Sequence, residues 1–241
     1  MELPEWWVKN WGNKPYAIAD CLEAMKKIPD KSVDLVLTDP PYKVSQNYGG
    51  GVDADNLMGV ANILRTIPEI SRILKDGRFF VCFYDNRILP FLFDAVRGTE
   101  LVYRKMIFLY RRWGNANRWV GWMQCTDPCC IFVNGHDKPF SPDVKGRTVK
   151  HDCYIKASPE SDNTDHPAQK PLEIIQDIVE WCSEEGEIVL DPYLGSGTVL
   201  KACAHKHRCG LGFEIEPKYE DTIKKRYGID TPSIEQFGVN V

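Results

Sequence analysis

The chain has 241 residues, 43% of them hydrophobic, and 30 Lys and Arg against 34 Asp and Glu, a formal charge of −4. That length allows one domain of generous size, and the apolar content excludes a disordered chain. No apolar run approaches the ~20 residues of a membrane helix. The opening Met1–Trp7 lacks a basic region ahead of an apolar one, and nine scattered cysteines read as reduced thiols, so the expected location is the cytoplasm. A pI near 5.8 argues mildly against a phosphate-rich partner.

Short apolar strands alternate with amphipathic helices. The pattern predicts a strand over 16–20, a helix over 21–28 and a buried strand over 33–38 that stops at Asp39-Pro40-Pro41-Tyr42. Residues 43–56 hold three consecutive glycines and read as a mobile loop, a candidate lid. A helix follows over 57–74, with Pro68 arguing for a break or kink. A turn at Lys75-Asp76-Gly77 leads to a strand over 78–83, then a helix over 87–96 with Pro90 in its first turn. Strands are expected over 101–110 and 129–133, while 134–165 is polar and yields no clear element. A helix over 171–183, a strand over 187–190 ending at Asp191, a helix over 198–205, a strand over 209–215 and a helix over 217–226 complete the chain.

Such alternation implies a mostly parallel sheet covered on both faces, which binds ligands beyond the carboxyl ends of its strands. Asp39, Asp191 and Glu214 stand at strand ends, and Asp20 can be a fourth. One such acid is best read as a helix cap. Several on one rim form a constellation.

Asp191-Pro192-Tyr193-Leu194-Gly195-Ser196-Gly197-Thr198 joins a strand to a helix. Its glycines permit a tight turn and close approach to a ligand. No Gly-Lys-Ser/Thr follows, which excludes a P-loop, and the third glycine of the dinucleotide fingerprint is missing. Glu214, at the end of the next strand, is placed to accept from both hydroxyls of a ribose.

At Asp39-Pro40-Pro41-Tyr42 the two prolines fix φ and release carbonyls from any ladder. The Asp39 carboxylate and Pro40 carbonyl then offer two acceptors, suited to an exocyclic NH₂, and Tyr42 offers a face for stacking a base. The plainer alternative is a structural turn with an Asp cap and a core aromatic.

The combination of these two turns resembles the S-adenosylmethionine-dependent amino-methyltransferases of DNA, and the order, catalytic turn first and glycine turn last, resembles their β class. His166-Pro167-Ala168-Gln169-Lys170-Pro171 and Asp20-Cys21-Leu22-Glu23-Ala24-Met25 are similar to two further family segments. The resemblance covers about residues 16–133 and 166–227. It implies an α/β, doubly wound, Rossmann-like methyltransferase sheet, mostly parallel with one antiparallel strand and a circularly permuted motif order. It implies a single catalytic domain over 1–241, with a short target-recognition insertion at about 134–165. Asp39, Pro40, Pro41 and Tyr42 would hold and stack the target base. Asp191, Tyr193, Gly195, Ser196, Gly197 and Thr198 would line the S-adenosylmethionine site, Glu214 its ribose and Asp20 its adenine amine. Lys170 would pair with the cofactor carboxylate or a nearby phosphate, or simply be a solvated lysine at a helix start. The Asp form of the tetrapeptide goes mostly with adenine N6 and the Ser form mostly with cytosine N4. The implied reaction is direct methyl transfer to a flipped adenine, with cytosine N4 as the alternative.

Residues 101–120 carry +5 and no acid, interleaved with Tyr103, Tyr110, Trp113 and Trp119. Arginines among aromatics suit phosphates and unstacked bases, so Arg111, Arg112, Trp113 and Arg118 are DNA-contact candidates on a loop over about 111–122. Residues 138–156 carry +3 and add Lys145 and Arg147. Cys125, Cys129, Cys130, His151 and Cys153 match no paired Cys-x-x-Cys module, so no metal is expected. Double-stranded DNA is the expected partner, with RNA a rival substrate, no membrane, and room for a homodimer or a cognate restriction endonuclease. From other classes, a nucleotide-binding oxidoreductase is disfavoured by the missing third glycine. A non-catalytic DNA-binding protein on this fold is disfavoured by the intact Asp39 and Gly195-Ser196-Gly197.

Overall fold

The computed structural model describes residues 2–40, 54–85, 88–117, 122–135, 151–156 and 170–228; side chains are described at 2–40, 61–85, 88–110, 125–135, 151–155 and 170–228. In chain order the elements are α1 (Glu5–Trp11), β1 (Tyr16–Ile18), α2 (Cys21–Met25), β2 (Val33–Thr38), α3 (Ala54–Ile73), β3 (Leu74–Phe83), α4 (Leu89–Val96), β4 (Leu101–Asn117), β5 (Trp122–Asn134), β6 (Cys153–Lys156), α5 (Leu172–Cys182), β7 (Ile188–Asp191), α6 (Thr198–His205), β8 (Cys209–Glu214) and α7 (Glu220–Tyr227).

The strands form one sheet in the order β1-β8-β7-β2-β3-β5-β4-β6. β5 runs antiparallel to both its neighbours, and every other pairing is parallel. The sheet is thus mostly parallel with one reversed strand, as expected. All six residues of the central strand β2 are buried. Val33 and Val36 join the core shared with α2, α3 and α4, while Leu35 and Leu37 join the core shared with α5 and α6. The alternation of Leu35, Val36 and Leu37 feeds two apolar layers, with Val33 out of phase across the irregularity between Val33 and Leu35, and the fold is doubly wound.

Five differences from the sequence reading stand out. α3 continues through Pro68, because Ile63, Ile67, Ile70 and Ile73 recur at helical spacing and are all buried. Pro68 itself lies on the exposed side, where water can satisfy the carbonyl it releases. The turn at Lys75–Gly77 is absorbed into β3 as a bulge. Val33 pairs with Leu74 but Leu35 with Phe79, and Gly77 takes φ 72°. The segment expected as a loop over 111–122 is instead strand up to Asn117 and again from Trp122, the two ends of a long hairpin. Finally, β6 emerges from the unassigned stretch as an eighth strand. α1 was also not foreseen; its Trp7 stacks on Phe213 of β8 with ring centroids 5.2 Å apart.

Candidate active site at the carboxyl rim of the sheet

β1, β8, β7 and β2 are consecutive in the sheet. Asp20, Glu214, Asp191 and Asp39 stand at their carboxyl ends, so residues far apart in the chain become neighbours along one rim. The next strand, β3, is followed by Tyr84 and Asp85, an acid in the same position that the sequence reading missed. The same strand-end rule would have found it.

Asp191 closes β7 and is buried. Its Oδ1 accepts from Thr38 Oγ1 of β2 at 2.7 Å and from the Tyr193 amide at 3.0 Å. Burial raises its pKa to about 7, opposed by those two hydrogen bonds and assisted by the charges of Asp39 and Glu214. The glycine turn follows, with φ 53° at Gly195 and 81° at Gly197, a region that favours glycine. Glu214 Oε2 accepts from the Gly195 amide and Oε1 from the Glu216 amide, both at 2.8 Å. Each oxygen can accept once more, which fits a ribose diol. Arg226 of α7 donates to Ser196 Oγ at 2.9 Å and braces the turn from behind. Close packing fixes the turn too: a Cβ on Gly212 would lie 2.8 Å from Leu194 Cδ1 and 3.1 Å from the Asp191 carbonyl.

Asp39 follows β2 directly, and its Oδ2 accepts from Lys170 Nζ at 2.5 Å. A cleft is lined by Thr38, Asp39, Phe83, Lys170, Asp191 and Tyr193 together with Gly195, Ser196 and Thr198. Most of the residues expected at the site are thereby brought together. Tyr193 lines the cleft, and its hydroxyl lies beside Thr66 of α3 and Cys21 of α2. Asp20 caps α2, accepting from the Glu23 amide at 3.1 Å, at the rim beside Glu214. Phe83 was missed because it read as strand core; it forms the cleft wall under Lys170. Pro41, Tyr42, the 43–53 part of the candidate lid, Arg118, Lys145 and Arg147 lie outside the described residues. So do the side chains of Arg111, Arg112 and Trp113.

The hairpin belongs to the same rim. Phe83, at the end of β3, pairs with Cys129, so residues 122–127 of β5 and their β4 partners run on past the sheet. At 3.4 Å per residue the arm projects roughly 20 Å beyond the acids. β6 pairs with 108–111 at its base, and Tyr154 Oη donates to Asp177 of α5 at 2.5 Å, tying β6 to α5.

Acids on consecutive parallel strands, a glycine turn and a ribose-ready Glu214 suit S-adenosylmethionine, and comparison with known proteins agrees. The sequence model of the DNA methylase family (N6_N4_Mtase) matches residues 33–225. The type II methyltransferase M.HpaI of Haemophilus parainfluenzae is 25% identical over 228 residues, covering 86% of this chain and 72% of its own. The DNA adenine methyltransferase YhdJ of Escherichia coli (strain K12) is 27% identical over 242 residues, covering 87% and 81%. Among solved structures, the M1.HpyAVI–SAM complex superposes with TM-score 0.67 at 26% identity, covering 88% and 97%. The cytosine-N4-specific PvuII DNA methyltransferase shares the fold, with TM-score 0.74 at 18% identity over 90% of each chain. The chain belongs to the DNA methylase family of N6/N4 amino-methyltransferases, which use S-adenosylmethionine as methyl donor.

Proposed function

We propose that the chain methylates the exocyclic N6 amine of adenine in double-stranded DNA. The observation that carries this reading is Asp39-Pro40 at the end of β2, one residue from the Thr38 hydroxyl that holds Asp191. The target acceptor and the cofactor turn are thus coupled through adjacent residues of one strand. The Asp form of the tetrapeptide and the likeness to a DNA adenine methyltransferase both favour adenine.

The cofactor, when bound, supplies an electrophilic methyl on a sulfonium. Asp191 orients its methionine end, Glu214 its ribose and the glycine turn its backbone contacts. The adenine must leave the helix, because its amine is otherwise paired; flipping costs a few kcal/mol, partly offset by stacking on Tyr42. The Asp39 carboxylate and Pro40 carbonyl accept the two amine hydrogens. That aims the nitrogen lone pair, otherwise delocalised into the ring, at the methyl group. With the cofactor bound, the C–N bond would form as the S–CH₃ bond breaks and leaves a neutral thioether, and the surplus amine proton would pass to water. No cysteine nucleophile is needed. The hairpin arm, with Arg111, Arg112, Trp113 and Arg118, grips DNA beside the site, and Lys145 and Arg147 of the insertion assist.

The test is incubation of the protein with labelled S-adenosylmethionine and unmethylated DNA, then nucleoside analysis. Label in N6-methyldeoxyadenosine is expected. Label only in N4-methyldeoxycytidine would reassign the base, and no label in any nucleoside would favour a binding protein.

A further inference from the structure

Lys170 read from sequence either as a cofactor contact or as a solvated residue. The structure gives it different surroundings. Its side chain is 12% exposed, its Nζ donates to Asp39 Oδ2 at 2.5 Å, and it lies over the Phe83 ring, 5.0 Å from the centroid. Three elements converge to make this arrangement. α5 is pinned against Leu35 and Leu37 of β2 through Ile175, Ile178 and Val179, which brings the residue before Pro171 to the carboxyl end of β2. Asp39 stands at that end, and Phe83 closes β3 beside it.

We propose that Lys170 is a positioning residue for methyl transfer, acting through Asp39 rather than on the cofactor. This rests on the reading of Asp39 as the acceptor for the target amine. A charge-assisted bond to a largely buried carboxylate fixes its rotamer. The aromatic face beneath restricts where the ammonium can sit. Among the described residues lining the cleft, Lys170 is the cation, and it shares the lining with the carboxylates of Asp39 and Asp191. Binding a positive sulfonium there draws on the same negative charge, so an ammonium held on Asp39 reserves that carboxylate for the base.

The two roles separate kinetically. The experiment compares wild type, Lys170→Met, Lys170→Arg and Asp39→Ala. Single-turnover methylation is measured at saturating S-adenosylmethionine, cofactor Kd by equilibrium dialysis and Tm by calorimetry. For Lys170→Met the transfer rate falls about tenfold or more while cofactor Kd stays within about threefold, the pattern of an interaction used in the chemical step. Lys170→Arg restores the rate to within about threefold of wild type, since it keeps the charge and the donor. A Lys170→Met rate equal to wild type overturns the proposal, and so does a loss confined to cofactor Kd. A rate loss that Lys170→Arg leaves unrepaired, or one that tracks a fall in Tm in both variants, marks mere structural support and also overturns it. Full activity in Asp39→Ala would instead refute the Asp39 reading. An inactive Asp39→Ala beside a fully active Lys170→Met would refute the Lys170 role alone.

Discussion

Asp191 shows how one buried carboxylate joins stability to binding. Its pKa rises from the ordinary 3.8 to about 7 because burial penalises the charge. The folded state therefore holds a proton that the unfolded chain gives up. Its contribution to stability is fully present below about pH 4 and is lost as pH rises towards 7. The fall in Tm across that window should be visibly smaller in Asp191→Asn. On the proposed role of Asp191, cofactor binding should have the opposite slope, because a positive methionine end favours the ionised carboxylate. Affinity for S-adenosylmethionine should rise about tenfold between pH 6 and 8, with proton release detectable by calorimetry in buffers of different ionisation enthalpy. Asp39 separates the other function: Asp39→Ala should lower methyl transfer by about 100-fold or more while cofactor Kd changes little. Wild-type rates in that variant would remove Asp39 from the mechanism.

At the scale of elements, the glycine turn and the hairpin arm make separable demands. Gly212→Ala pushes a methyl group into Leu194 and the Asp191 carbonyl. Such overpacking costs about 1–3 kcal/mol, and here it also displaces the turn. Chemical denaturation should show the loss, together with weaker cofactor binding. Replacing 112–123 by a tight turn leaves the sheet and cleft in place. Cofactor affinity should be retained, while DNA binding by fluorescence anisotropy should be lost. The contrast between these elements also explains what could be read in advance. β2, β7 and β8 are short apolar runs that end at acids, so both strands and rim were legible. Pairing, not hydropathy, makes the rest. Polar Asn115–Asn117 is strand because 122–124 lies opposite and Arg111 because Lys156 of β6 does, and Pro128 sits inside β5 although proline is a strand breaker. β6 is four residues long and has meaning only against β4. Lys170 meets Asp39 across 131 residues of chain, a contact set by how α5 packs on β2 and invisible to any local pattern.

Over the whole molecule, the net charge of −4 looks wrong for a DNA enzyme until it is placed. Asp20, Asp39, Asp85, Asp191 and Glu214 stand along the carboxyl rim of the sheet, while Arg104, Lys105, Arg111 and Arg112 belong to β4. Binding confined to one such face gives weak non-specific affinity and a steep salt dependence, measurable as the slope of log K against log salt. The most direct measurement of the central claim uses a host whose DNA carries no methylated bases, expressing either the wild-type chain or Asp39→Ala. Genomic DNA from each is digested to nucleosides and resolved by mass spectrometry. Adenine methylation through Asp39 predicts N6-methyldeoxyadenosine in the first and none in the second. N4-methyldeoxycytidine in place of the adenine product, or N6-methyldeoxyadenosine that persists in Asp39→Ala, would contradict it.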